Sequence, residues 1–250
     1  MFWLIFAVVL NIFVGIHGQL DGSMSRQARP LSSHFDEITI EGNFNVFLTQ
    51  ISGMPTTGQN QAQLPLEVEA TAEVHPHIIV DIIDGHILSI RIQGVTHVQQ
   101  PSRLFIRYMG PLRRYSVSGS GHTITDSNGI NNPPNEKLIF QQQGASSSNL
   151  LMNIYALEAD IQGTGHTQFV GQVMEQATYQ VQGTREVDAS KLMCKRAIVD
   201  VQGTSTMTMT AIEDVAIVAG GVSKVFYQLP PMRQPSRSSS TGQATITRLT

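Results

Sequence analysis

The sequence predicts an all-β fold, a parallel β-solenoid with coils of about 20 residues. Three observations carry this. A hydrophobe-Gln-Gly-Thr phrase recurs as DIQGTGHT at 160–167, QVQGTREV at 180–187 and DVQGTSTM at 200–207. Apolar and polar residues alternate at period two through most of the chain, as half-buried strands require. No segment carries the spacing of an amphipathic helix. A catalytic motif is needed once, whereas a phrase repeated at constant spacing is architectural.

Residues 1–18, MFWLIFAVVLNIFVGIHG, hold an apolar run from Phe2 to Ile16 broken only by Asn11 and Gly15. They read as a secretory signal peptide cut near Gly18. As a helix the run reaches roughly 22 Å, short of the roughly 30 Å hydrocarbon core, so no stable membrane span is expected after cleavage. Residues 19–33 form a short polar segment, and 34–250 read as a single solenoid domain. FDEITIEGNFNVFLTQI, LPLEVEATA, HIIVDIIDGHILSIRIQG and SRLFIRYMG follow as alternating strands. Two polar stretches, 52–63 and 128–137, read as surface loops.

The repeat sets a register. Taking Gly144, Gly163, Gly183, Gly203 and Gly221 as zero, Ile161, Val181, Val201 and Ala219 precede the last four by two residues. Ala159, Tyr179, Val199 and Ile217 precede them by four. On the far side Thr167, Val187, Met207 and Val225 share one offset, and Phe169, Ala189, Met209 and Tyr227 the next of the same parity. All of these face a core, and each glycine sits at a corner, where positive φ excludes a Cβ. On this reading Gly183→Val costs about 1 to 3 kcal/mol. Gln143, Gln162, Gln182 and Gln202 would stack as a hydrogen-bonded ladder from coil to coil. Weak copies of the phrase stand at 116–125, 140–152 and 239–249.

Composition excludes several function classes. The formal net charge is -3 and charged residues make up 14% of the chain, well below the roughly 25% of an average domain, so no nucleic-acid partner is expected. Cys194 is alone, cannot form an internal disulfide, and reads as a small buried hydrophobe. No Asn-x-Ser/Thr sequon occurs. Phosphate-loop, dinucleotide and Ser-His-Asp patterns are absent, so neither a cofactor nor catalytic residues are assigned. His75 and His77 flank a proline at i, i+2 spacing, which would put both on one face of a strand, without a further ligand to make a metal site. His122 and His166 are not expected to stack, because Ser147 intervenes at their offset. Asp160 and Asp200 share a column two coils apart, but no Lys, Arg or His joins them, so exposed strand residues are the simpler reading.

The GSGHT at 119–123, varied to GTGHT at 163–167, GTRE at 183–186, GTST at 203–206 and the ending GGVSKVFYQLPP at 220–231, resembles the auto-transporter adhesin head domain family, also called the GIN domain. The resemblance runs over about residues 34–250 and includes the opening FDEITIEGNFNVFLTQ. It implies a right-handed, single-stranded parallel β-helix in a secreted or cell-surface setting, with no established enzymatic activity. The expected function is therefore a non-catalytic binding or adhesion module for an extracellular glycan or protein surface, with oligomerisation left open. Its ligand face would be the outward column Asp160, Gln162, Gln180, Gln182, Asp200 and Gln202. Two alternatives stand beside it: a polysaccharide-active β-helix enzyme, lyase or hydrolase, and a Thr array that binds ice or another lattice. TSTMTMT at 204–210 suits the array, but TREVDAS one coil earlier does not.

Overall fold

The computed structural model describes residues 23–31, 34–51, 66–94 and 100–249. The signal peptide expected at 1–18 and the loop expected at 52–63 lie outside them. The described strands are β1 (Met24–Arg29), β2 (Glu37–Gln50), β3 (Leu66–Thr71), β4 (Ile78–Ile83), β5 (Ile87–Ile92), β6 (Ser102–Tyr108) and β7 (Arg114–Thr125). There follow β8 (Ile130–Asn131), β9 (Lys137–Ile154), β10 (Ala156–Val201), β11 (Thr206–Ala219), β12 (Lys224–Gln228), β13 (Arg237–Ser240) and β14 (Thr245–Arg248). All fourteen join one long mixed sheet that does not close into a barrel. No helix among the described residues is long and apolar enough to cross a membrane.

Along the sheet from β2 through β7 and β9 to β14 the pairing is parallel, and from β9 onward the partners lie about one repeat apart. Ala156 lies opposite Lys137, an offset of 19, and Glu186 opposite Thr206, an offset of 20. β7 pairs with β2 from Glu37↔Arg114 to Leu48↔Thr125, and with β9 from Arg114↔Ile139 to Ile124↔Asn149. The offset between β7 and β9 is longer because residues 126–136 make an excursion. Expected to be a surface loop, this segment is partly a structural plug. Ile130 and Asn132 are buried, and Asn132 exchanges hydrogen bonds with the Leu112 backbone at 2.9 and 2.8 Å.

The interior follows the register read from the glycines. Each of the sixteen residues assigned inward at the four offsets is buried. Aromatic rings run along the axis from Tyr115 to Phe140, Phe169 and Tyr179, with successive centroids 6.0, 5.5 and 6.0 Å apart. The Tyr115 hydroxyl, fully buried, meets the Thr123 hydroxyl at 2.7 Å, as a buried phenol must find a partner. Cys194 is buried as expected. Burial pushes its thiol up to about 12, which suits a packing residue rather than a nucleophile.

The N-terminal end of the stack departs from a purely parallel fold. β5 and β6 lie on the edge of β2 away from β7, one on each half of that strand. Antiparallel strands then cover them: β4 on β5, β3 on β6, and β1 on β3. Covering an edge in this way prevents it from templating another chain. The β4–β5 hairpin turns at Asp84 and Gly85, whose φ values of 52° and 74° match a type I′ turn, and His86 N–H closes it on the Ile83 carbonyl at 3.2 Å. β1 lies inside the polar segment 19–33, for which the sequence predicted no element. Arg26 fixes it by pairing with Glu67 and by resting 3.9 Å from the Phe105 ring centroid.

His75 and His77 do not lie on a strand, which corrects the i, i+2 reading. Pro76 sits at the start of a single 3-10 turn over His75–His77, where its fixed φ and missing N–H are tolerated. The turn separates the two rings. His75 is buried with Nε2 2.9 Å from the Ser25 carbonyl oxygen, while the half-buried His77 has Nδ1 2.9 Å from that of Gln93.

Candidate outward polar strip

Eight glycines, Gly42, Gly119, Gly144, Gly163, Gly183, Gly203, Gly221 and Gly242, form a column in which an added Cβ on each of the last seven would collide with the carbonyl oxygen of the glycine before it. The column therefore carries the stacking register through the long strand β10. It also places the strip. Asp160, Gln162, Gln180, Gln182, Asp200 and Gln202, three and one residues before their glycines, all point outward and are half-buried or exposed. Backbone bonds confirm the local alignment: Gln202 N–H donates to Val181 O at 2.8 Å, and Thr204 N–H to Gly183 O at 2.8 Å.

The register extends this strip further than the sequence reading took it. Asp160 is opposite Gln141, Gln141 opposite Ser116, and Ser116 opposite Thr39. In the companion column Gln143 is opposite Ser118, and Ser118 opposite Glu41. Gln141 accepts from Ser116 Oγ at 3.0 Å and from Arg114 Nη1 at 3.2 Å, and Arg114 reaches Glu37 at 3.3 Å. The signal was present in the weak copies around Gly119 and Gly144, read at the same offset. At its other end the strip stops at Val218, opposite Asp200.

The glutamines do not form the expected coil-to-coil ladder at Gln162 and Gln202. Each folds back within its own coil: Gln162 Nε2 donates to both Asp160 carboxylate oxygens at 3.0 and 3.2 Å, and Gln202 Nε2 to Asp200 at 2.6 Å. Residues i and i+2 share a face of a strand, and an amide-to-carboxylate bond is stronger than an amide-to-amide bond. Asp160 and Asp200 are thus each engaged by a neutral amide rather than turned toward one another.

Downstream of the glycines the outer face is also internally paired. Burial works against ionisation of Asp188, but the Ser190 hydroxyl and amide at 2.6 and 3.0 Å and Gln168 at 3.2 Å donate to it, and the balance holds it below the usual aspartate value. His122 lies opposite Ser147, and Ser147 Oγ receives the His166 N–H at 3.4 Å, so the two histidines are separated as expected. Thr206 and Thr208 lie between Glu186 and Asp188 on one side and Lys224 and Phe226 on the other, so they start no threonine array. Among the described residues no group of three His, Cys, Asp or Glu side chains is placed to hold a metal ion.

Comparison with known proteins agrees with this architecture. A putative adhesin of Bacteroides fragilis superposes with a TM-score of 0.71 at 18% identity, covering 92% of this chain and 99% of that one. A putative adhesin of Parabacteroides merdae gives 0.60 at 16%, and a putative lipid binding protein of Parabacteroides distasonis 0.57 at 14%, each covering 92% of this chain and 98% of its own. At these identities the likeness is one of fold. No curated protein matches the chain. The family model described as "Putative auto-transporter adhesin, head GIN domain" matches residues 34–231, and the chain belongs to that family.

Proposed function

We propose that this chain is a secreted or cell-surface binding module, a right-handed parallel β-helix that engages an extracellular glycan or protein surface along its outward polar strip. The observation that carries the reading is the strip itself. Polar side chains of one column are stacked over successive repeats, and such a surface suits a polymer or a broad partner better than a small substrate. Parallel partners one repeat apart and the glycine column support the β-helix, and the strong preference of parallel connections for right-handed crossover supports its hand. Adhesin-like relatives support the extracellular setting.

Asp160→Asn and Asp200→Asn are expected to leave the fold intact and to weaken binding by only about 0.5 to 1.5 kcal/mol each, because each removes one contact among many. A glycan panel screened with both retention and turnover recorded tests this. Cleavage of any glycan that either single variant abolishes would replace the binding module with a polysaccharide-active enzyme, since loss of an essential acid removes orders of magnitude. The secretory reading is tested separately. Residues 1–18 fused to a cytosolic reporter should export it in cleaved form, and an uncleaved, membrane-retained fusion would instead mark an anchor.

A further inference from the structure

A groove of about 600 Å³ opens at the C-terminal end of the stack, where β12 and β14 end beside residues 210–212 in the middle of β11. Its walls are apolar at Ile212, Leu229, Pro230 and Leu249, polar but uncharged at Thr210 and Gln228, and charged at Arg248. The volume lies within the roughly 300 to 1,000 Å³ typical of small-molecule sites. The groove follows the column glycines in each repeat, whereas the polar strip precedes them. Nothing in it therefore depends on the strip.

Three features point to one kind of occupant. Ile212 and Leu249 remain 43% and 38% exposed, and Met193, 51% exposed, lies opposite Thr210 in the register, so the apolar surface continues outward from the groove. Arg248 is held in place by Nη2, which donates to the carbonyls of Leu229 at 2.9 Å and Pro230 at 2.7 Å, and it forms no ion pair among the described residues. Between Asp214 and Thr250 the sequence holds Lys224, Arg233, Arg237 and Arg248 and no Asp or Glu. Such a guanidinium on the rim of an apolar groove is complementary to a carboxylate on a hydrocarbon chain. We propose that the groove binds a single-chain anionic amphiphile, the chain along Ile212, Leu229 and Pro230 and the carboxylate on the free donors of Arg248.

Displacement of a fluorescent fatty-acid probe by oleate from the purified full chain tests the assignment. Oleate should compete at micromolar concentration. Oleyl alcohol, with the same tail and no charge, and the Arg248→Gln variant with oleate should each show affinity lower by about tenfold. Arg248→Lys should recover most of that loss. Ile212→Asp, on an exposed side chain, should abolish competition while thermal unfolding stays unchanged. Co-sedimentation with vesicles of phosphatidylcholine and phosphatidylglycerol separates the sources: competition by monomeric oleate in the absence of vesicles supports the proposal, and binding that requires the vesicle overturns it. Oleate that fails to compete, or competes equally with Arg248→Gln and Ile212→Asp in place, overturns the proposal.

Discussion

Gly183→Val destabilises the protein by about 2 to 6 kcal/mol, more than the backbone strain expected from the repeat pattern alone, because two costs combine there. Gly183 has a φ of 103°, where an L side chain is strained by about 1 to 3 kcal/mol. Its added Cβ would also meet the Gly163 carbonyl oxygen and come within 3.1 Å of that residue's carbonyl carbon and amide nitrogen, all backbone atoms that cannot swing aside. Overpacking of this kind adds about 1 to 3 kcal/mol. Gly85 supplies the internal reference. Its φ is 74°, and an added Cβ there meets nothing within 4 Å, so Gly85→Ala reports conformational strain alone. Denaturant unfolding of Gly183→Ala, Gly183→Val and Gly85→Ala should rank the losses Val, then Ala at 183, then Ala at 85. Equal losses at Gly183→Ala and Gly85→Ala would show that the glycine column relaxes freely and does not set the stacking.

That column explains why so much of the interior was legible. Once the repeated glycine fixes zero, a strand's period of two assigns every other residue, and Ala159, Tyr179, Met207 and Val225 fall inward without any knowledge of the fold. Gly42 and Gly242 join the same column, although their flanking residues carry little of the repeated phrase. The antiparallel cover was less legible because it is made once. The Asp84-Gly85 pair was a readable hairpin signal, but β1 has a polar sequence whose place depends on Glu67 and Phe105, partners distant along the chain. The strip residues were legible as a face but not as hydrogen-bond partners. Column spacing is a backbone property, whereas the choice of Gln162 for Asp160 over a neighbouring glutamine depends on which acceptor is charged.

Arg185→Ala is expected to cost about 2 to 4 kcal/mol, through a cavity and the loss of hydrogen bonds at a site where the sequence suggested only another turn. Two residues after the column glycines runs a column of Phe44, Gly121, Ser146, Gly165, Arg185, Ser205 and Ser223, whose side chains are buried and in which the largest members lie next to the glycines. Arg185 is 2% exposed, and its guanidinium enters the space that Gly165 leaves, so that a Cβ on Gly165 would come within 2.9 Å of its Nη1. From there Nη1 donates to Ser146 O at 2.8 Å and to Thr164 O, and Nε donates to Gln162 O at 3.4 Å, tying successive repeats together. Nη2 is buried without a partner. Burial lowers the guanidinium pKa to about 10, so it stays cationic at neutral pH and its desolvation opposes the three bonds it makes. Arg185→Met keeps most of the volume and removes that charge, and it should therefore cost less than Arg185→Ala. Arg185→Lys keeps the charge but loses the planar fork, and it should cost more than Arg185→Met. The pH dependence has a definite sign. The folded state binds this proton less tightly than the unfolded chain, so the stability of the parent relative to Arg185→Met should rise as pH passes upward through about 10. Unfolding midpoints at neutral pH and above pH 10 measure both effects, and an Arg185→Ala variant as stable as the parent would show that the guanidinium holds nothing together.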